Sequence, residues 1–238
     1  MKKMKKVIIL SVLMVFMMAS MVMADTVTMR RVNGYWTGSG GEFTVQINES
    51  GTPDLNWVLP LYDSSTKGKG YTDSFQSFCV EKNEYISINS TYNFNISNAA
   101  VAGGIGGGSP DPLSVGAAYL YYQFSQGILT GYDYNSSAGR ATSAGLLQNA
   151  IWYLEEEITT IGSNLFIELV TSSSVFGSLS GARDDNNGEY PVAVLNLSQG
   201  TALKQDQLVL VPEPASMLLL GSGLIGLAGF ARRKFFKK

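Results

Sequence analysis

The sequence of 238 residues contains no histidine. This absence excludes Ser-His-Asp and Cys-His nucleophilic centres, histidine-liganded zinc or haem, and any histidine general base. A glycosidase that uses two carboxylates needs only Asp and Glu, but no paired-carboxylate motif stands out among the scattered acidic residues. We therefore expect a protein that is not an enzyme and that needs no cofactor and no metal.

Cysteine is almost as scarce, because Cys79 is the only one in the chain. A single cysteine cannot form an intramolecular disulfide, so it is buried, reactive or paired with another molecule. A buried free cysteine often does nothing except pack, and this alternative stays open. Basic residues are also scarce outside the two ends of the chain, which leaves an acidic central part and argues against nucleic acid as a partner.

The N-terminus combines a basic start, an apolar run over residues 7–22 and the small-residue exit that ends at Ala24. This pattern predicts a secretory signal peptide over residues 1–24. A permanent N-terminal membrane anchor is the alternative.

At the other end, Pro212-Glu213-Pro214 is followed by an apolar run over residues 215–231 and then by a basic tail that begins with Arg232 and Arg233. The run is close to the lower limit of about 17 residues for a transmembrane helix. The basic tail would place the C-terminus in the cytoplasm by the positive-inside rule. A permanent single-pass anchor is one interpretation of this segment.

The same three features resemble the PEP-CTERM sorting signal of Gram-negative bacteria. The resemblance implies an exosortase-type membrane protease as a partner, with cleavage near Pro212-Glu213-Pro214 and only transient anchoring in the inner membrane. The released protein would belong to the cell surface, the outer membrane or the extracellular matrix. We therefore divide the chain into a signal peptide (1–24), an exported domain (25–210) and a sorting signal (211–238).

Short alternating runs in the central part predict strands, and two stretches with helical spacing lie between them. The first helix is expected from Asp111, as N-cap before Pro112, to about residue 128, and the second over 141–158. Strands first and last with the helices grouped between them predict an α+β fold, a mainly antiparallel β body with a helical insertion. The predicted strands are 27–32, 42–47, 55–61, 75–80, 85–88, 192–197 and 207–211.

Three further segments each allow two interpretations. Residues 164–170 are compatible with helix or strand. Residues 183–189 carry several oxygen ligands near a glycine but lack the spacing of a calcium-binding loop, so a turn is the default and calcium the alternative. The acidic run 155–157 would oppose the dipole of the preceding helix; a solvated helix end is the simpler interpretation, and a role at a site is the other.

Gln148 lies on the second predicted helix, where Leu147, Ile151 and Leu154 recur with helical spacing and Trp152 follows one turn beyond the glutamine. Upstream, Cys79 stands between Phe78 and Val80 near the end of a predicted strand.

These two motifs, Phe78-Cys79-Val80 and Gln148-Asn149-Ala150-Ile151-Trp152, resemble those of the thioester domains of bacterial surface adhesins. The resemblance implies a comparable mixed fold and an internal thioester, formed when the Cys79 sulfur displaces ammonia from the Gln148 carboxamide. Phe78, Trp152 and Tyr153 would shelter this bond from water. Its target would be an amine or a hydroxyl on a surface protein or an exopolysaccharide.

A second function stays open on composition. A tyrosine-rich chain with few charges suits sugar stacking and hydrogen bonding. The alternative is therefore a non-covalent structural or carbohydrate-binding matrix protein in which Cys79 is merely buried.

Overall fold

The computed structural model describes residues 26–48, 55–103, 105–135 and 137–213. The predicted signal peptide, the predicted membrane span and the basic tail with Arg232 and Arg233 lie outside these ranges, as does Pro214. Within the ranges described, no helix is long and apolar enough to cross a membrane.

Six antiparallel strands form the main sheet, in the order β3-β2-β1-β4-β7-β8. A two-stranded antiparallel ribbon of β5 and β6 precedes the helices. The coarse prediction of a mainly antiparallel α+β fold is confirmed. The strands are β1 (Thr26–Arg30), β2 (Phe43–Asn48), β3 (Ser74–Ser77), β4 (Ser90–Ser97), β5 (Ala99–Ala100), β6 (Asp111–Pro112), β7 (Val192–Gln199) and β8 (Ala202–Leu210).

Four α-helices form the insertion between β6 and β7: α1 (Val115–Ser125), α2 (Ser137–Leu154), α3 (Leu165–Thr171) and α4 (Leu179–Ala182). The apolar face predicted for the second helix is buried, with Leu147, Ile151 and Leu154 all in the core. Burying such a face in the core is the main source of stability for a helix of this length.

The chain that follows β3 joins the two edges of the main sheet. Phe78 accepts a backbone hydrogen bond of 3.0 Å from Leu208, and Val80 donates one of 3.0 Å to Asp206. Cys79 lies between them and pairs with Gln207 of β8. Edge strand β3 and edge strand β8 therefore meet at residues 78–80, which fixes the backbone of the cysteine on both sides.

Several local predictions are wrong. Residues 55–61 form a 3-10 helix with Pro60 inside it rather than a strand. Residues 85–88 form no strand, and the next strand, β4, begins at Ser90. Asp111 and Pro112 belong to β6. The first helix begins at Val115, and its N-cap is Ser114, whose hydroxyl accepts the Ala117 N–H at 3.2 Å.

The acidic run after α2 is not a solvated helix end. The Glu155 carboxylate is buried and accepts hydrogen bonds from the N–H and the hydroxyl of Ser114, at 3.2 and 2.5 Å. Glu157 is buried too, and it accepts the backbone N–H groups of Lys82 and Ile105, both at 2.8 Å. These two acids therefore satisfy backbone donors of other segments, and only Glu156 of the three is exposed.

We expect Glu155 to make the stability of the protein depend on pH. Burial raises the pKa of Glu155 from 4.5 to about 8, against the hydrogen bonds from Ser114, and the charges of Asp111 and Glu157 act in the same direction as burial. Between these two values the folded state binds more protons than the unfolded state, so stability falls as pH rises through this window.

The unfolding free energy of the wild type should decrease as the pH rises from about 5 to about 8. In Glu155→Gln, this decrease should be smaller by roughly 2–4 kcal/mol. Urea unfolding at several pH values measures this, with the exposed neighbour Glu156→Gln as the control. An unchanged pH dependence in Glu155→Gln would contradict the expectation.

Candidate functional site

The structure brings Cys79 and Gln148 into direct contact across 69 residues of sequence. The Cys79 Sγ atom lies 3.1 Å from the Gln148 Oε1 atom, and both side chains are buried. The meeting of edge strands β3 and β8 at residues 78–80 positions the cysteine, and helix α2 positions the glutamine. This contact places the sulfur beside the carboxamide group, and holding two reactive groups together in this way is what speeds an intramolecular reaction.

The carboxamide of Gln148 is held at both of its polar atoms. Its oxygen accepts the backbone N–H of Gly41 at 3.1 Å and the backbone N–H of Cys79 at 3.2 Å. Its nitrogen donates to the Cys79 carbonyl at 2.8 Å. Two backbone N–H groups on one carbonyl oxygen form the arrangement that stabilises the oxyanion of a tetrahedral intermediate.

Gly40 and Gly41 permit this close approach. A Cβ atom on Gly40 would lie 2.3 Å from the Gln148 Cγ atom, and one on Gly41 would lie 2.6 Å from the Phe78 Cδ1 atom. The role of these two glycines was not predicted from the sequence. The two glycines next to each other were the available signal, since glycine often marks close approach of a backbone to another group.

Arg31 fastens the same segment from outside. Its Nη2 atom donates to the carbonyls of Ser39 and Gly40 at 3.0 and 3.1 Å. The guanidinium carbon lies 4.2 Å from the ring centroid of Trp36 and 4.4 Å from that of Phe43. Burial lowers the pKa of Arg31, and the Cys79 thiol opposes this shift. The nearby cation therefore favours the thiolate form of the cysteine.

A buried ion pair holds the segment from the other side. Arg140 donates from Nε to one oxygen of Glu42 at 2.6 Å and from Nη2 to the other at 2.8 Å. The Tyr132 hydroxyl donates to Glu42 at 2.5 Å. Arg140 lies on α2 two turns before Gln148, so the helix that carries the glutamine also grips the residue after Gly41. Neither residue of this pair was predicted as part of the site from the sequence.

The Cys79 thiol is protonated near neutral pH. Burial raises its pKa well above the usual range and Glu81 adds to this, while a backbone hydrogen bond, Arg31 and Trp152 act in the opposite direction. The indole N–H of Trp152 is buried without a hydrogen-bond partner among the described residues. The proton of the thiol is therefore present at the site when the sulfur meets the carboxamide.

Of the residues predicted to shelter the site, two lie beside it. Phe78 is fully buried and packs edge-on against Phe124, with ring centroids 5.0 Å apart. Trp152 is buried and faces Cys79. Tyr153, by contrast, is half-buried and packs against Arg183, whose guanidinium carbon lies 4.9 Å from the ring centroid.

Two clefts border the site from the protein surface. One, of about 320 Å³, is lined among others by Arg31, Tyr85 and Trp152. The other, of about 490 Å³, includes Asn149 and again Trp152. Lys82 borders both clefts. Cys79 itself is fully buried, and Trp152 both lines the two clefts and lies next to the cysteine.

The described part of the chain ends just after β8, where Pro212 is half-buried and Glu213 is exposed. The two described sorting residues therefore follow the last strand at the surface of the domain.

Comparison with known proteins locates one familiar feature. Neither the curated proteins nor the solved structures include a match to this chain. Residues 210–234 match the PEP-CTERM protein-sorting motif, which confirms the prediction for the C-terminal segment. Such motifs are recognised by exosortase, so the chain is an exported protein with a PEP-CTERM motif, sorted to the cell surface or the extracellular space.

Proposed function

We propose that the exported domain is a covalent adhesion module in which Cys79 and Gln148 form an internal thioester. The observation that carries this proposal is the contact of 3.1 Å between the sulfur and the carboxamide oxygen, on an oxygen that already accepts two backbone N–H groups. A glutamine that merely packs against a cysteine does not need this arrangement. The export signal supports a role outside the cell.

The proposed bond-forming step uses the groups that contact the carboxamide of Gln148. The Cys79 sulfur attacks the carboxamide carbon of Gln148, and the negative charge that develops on the oxygen is stabilised by the N–H groups of Gly41 and Cys79. The carbon–nitrogen bond then breaks, and the thiol proton leaves with the nitrogen as ammonia. The product is a sulfur–carbon bond with both side chains still in the core.

In the capture of a target, the Cys79 sulfur is the leaving group and the target supplies the nucleophile. An amine or hydroxyl attacks the thioester carbon, an amide or ester bond forms, and the sulfur recovers its proton as a free thiol. The incoming group would enter from the clefts beside Trp152, which must move for the sulfur to be reached. Buried until then, the thioester would be sheltered from water.

The test is the intact mass of the purified full-length chain compared with that of Cys79→Ser. Beyond the substitution itself, the wild type should be lighter by one ammonia. After treatment with methylamine the wild type should gain one methylamine, and peptide mapping should place it on Gln148. Gln123→Ala, which removes a glutamine from the neighbouring helix α1, is the control and should retain the mass deficit.

The opposite result is equally clear. If the wild type and Cys79→Ser differ only by the substitution, and Cys79 titrates as a free thiol after unfolding, the thioester proposal is refuted. The non-covalent matrix protein would then be the better account of this chain.

A further inference from the structure

Three carboxylates converge next to the cysteine segment. Glu81, Glu84 and Asp206 each place one oxygen so that the three atoms lie within 4.8 Å of one another. Glu81 and Asp206 are buried and Glu84 is half-buried. Neither of the two ion pairs formed by the described residues involves any of the three. Like charges at this spacing repel one another strongly in a partly buried place.

The hydrogen bonds of this cluster leave acceptor capacity on two of the acids. The Asp206 Oδ2 atom accepts from the Asn196 side chain at 2.7 Å and from the Val101 N–H at 3.2 Å. Within the part of the chain that the structure describes, its Oδ1 atom accepts only the Leu197 N–H, at 2.9 Å, so a lone pair of this oxygen is free for a further partner. Glu81 is only 1% exposed, and its Oε2 atom accepts the Asp206 N–H at 3.3 Å. Its Oε1 atom is buried and has no hydrogen-bond partner among the described residues. A buried carboxylate oxygen of this kind requires a partner that is electron-poor.

We propose that Glu81, Glu84 and Asp206 bind a divalent cation, and that this cation is calcium. The donor set is all oxygen, which calcium and magnesium prefer and zinc does not. Oxygens within 4.8 Å of one another are within reach of two calcium–oxygen bonds of about 2.3–2.6 Å each. Calcium also accepts irregular carboxylate sets, whereas magnesium demands near-octahedral geometry and keeps several of its waters. The half-buried side of Glu84 leaves positions for water ligands.

The location gives the site a structural consequence. Glu81 follows Cys79 by two residues, and Asp206 precedes Gln207, the β8 residue that pairs with Cys79. A cation held by both sides would fasten the cysteine segment to β8, at the point where the two edges of the sheet meet. This binding stands whether or not Cys79 reacts with Gln148. It also differs from the segment 183–189, where the sequence analysis weighed calcium.

The test is isothermal titration of calcium into the purified full-length chain after removal of metal with a chelator, together with the melting temperature. The wild type should bind one calcium in this cluster and melt at a higher temperature when calcium is present. Glu84→Gln should weaken the affinity by at least about tenfold, because one charged ligand is lost. Glu84 is half-buried, so this variant should remain folded without calcium.

Glu189→Gln is the matched control, because it removes an exposed carboxylate from the other acidic segment. It should bind calcium like the wild type. The proposal fails if the wild type releases no heat with millimolar calcium, or if Glu84→Gln binds as tightly as the wild type. Magnesium binding as tight as calcium binding would overturn the assignment to calcium.

Discussion

Gly40→Ala is expected to prevent formation of the thioester while leaving the protein folded. The new methyl carbon would lie 2.3 Å from the Cγ atom and 3.0 Å from the Cβ atom of Gln148, far inside van der Waals contact. Gln148 is on a long, packed helix, so its side chain must move rather than its backbone. The carboxamide oxygen then leaves the N–H groups of Gly41 and Cys79, which lie 3.1 and 3.2 Å from it in the wild type.

The size of the effect follows from the lost donors. Removing one donor from an oxyanion-stabilising site typically slows the reaction by about 100-fold to 1,000-fold, and here the displacement affects two donors and the reacting carbon. We expect the fraction of chains that lack one ammonia to fall from nearly complete to undetectable. Intact mass of freshly purified Gly40→Ala, compared with the wild type, measures this fraction.

Gly162→Ala is the appropriate control for this experiment. A Cβ atom at Gly162 would meet nothing within 4 Å, and the residue is exposed. It should keep the mass deficit of the wild type. A full deficit in Gly40→Ala, with the protein folded, would show that the backbone donors are not needed for the reaction.

The parts of the fold that could be predicted from sequence are those with a strong local period. Helix α2 was predicted because apolar residues recur on one face, and Leu147, Ile151 and Leu154 of that face are buried. The strand that leads to Cys79 was predicted from its alternation, and its first half is β3. The alternation of residues along this strand could not show that residues 78–80 leave β3 and pair with β8, because that pairing joins segments more than 100 residues apart.

Local signals failed where tertiary contacts decide the structure. Asp111-Pro112 has the form of a helix start, yet these residues pair with β5 and the cap passes to Ser114, which Glu155 supports. The run 55–61 is apolar enough for a strand, but it contains Pro60, which lacks the N–H group that a ladder requires. Strand β4 was not predicted because its residues are mostly polar, with asparagine and serine throughout.

The site divides in the same way. Cys79 and Gln148 could be singled out because one is unique and the other sits in a recognisable pattern, and the structure brings them together. Gly41, Glu42 and Arg140 could not, because each looks ordinary until the fold places it. Arg140 lies just before the predicted start of the second helix at residue 141, although the helix in the structure begins at Ser137. A buried arginine is also rare, so nothing in the sequence favoured placing Arg140 in the core.

The buried pair of Glu42 and Arg140 gives the largest expected effect on stability. Both residues are 1% exposed, and Arg140 also donates to the carbonyls of Tyr134 and Ser65, each at 2.9 Å. Burial raises the pKa of Glu42, against the hydrogen bonds and the charge of Arg140. Removing one partner leaves the other charge buried and unpaired, which typically costs about 3–5 kcal/mol.

We therefore expect Glu42→Gln and Arg140→Met each to lose about 3–5 kcal/mol of unfolding free energy in urea. The double variant should lose much less than the sum of the two, since it leaves no unpaired charge in the core. Glu156→Gln is the control, because its partner Arg183 is at the surface and the Glu156 side chain is 57% exposed. Breaking that pair should cost about 1 kcal/mol or less.

The same pair should also govern the chemistry, because Glu42 follows the donor Gly41 and Arg140 shares a helix with Gln148. In the folded fraction of Glu42→Gln, the segment 40–42 is no longer gripped by α2, so the two N–H groups should no longer stay on the carboxamide oxygen. We expect this variant to form less thioester than Glu156→Gln when both are measured by intact mass under conditions where they are folded. If Glu42→Gln and Glu156→Gln contain the same fraction of thioester, Arg31 alone positions Gly41. If the two variants have the same unfolding free energy, the expected cost of leaving Arg140 unpaired in the core is refuted.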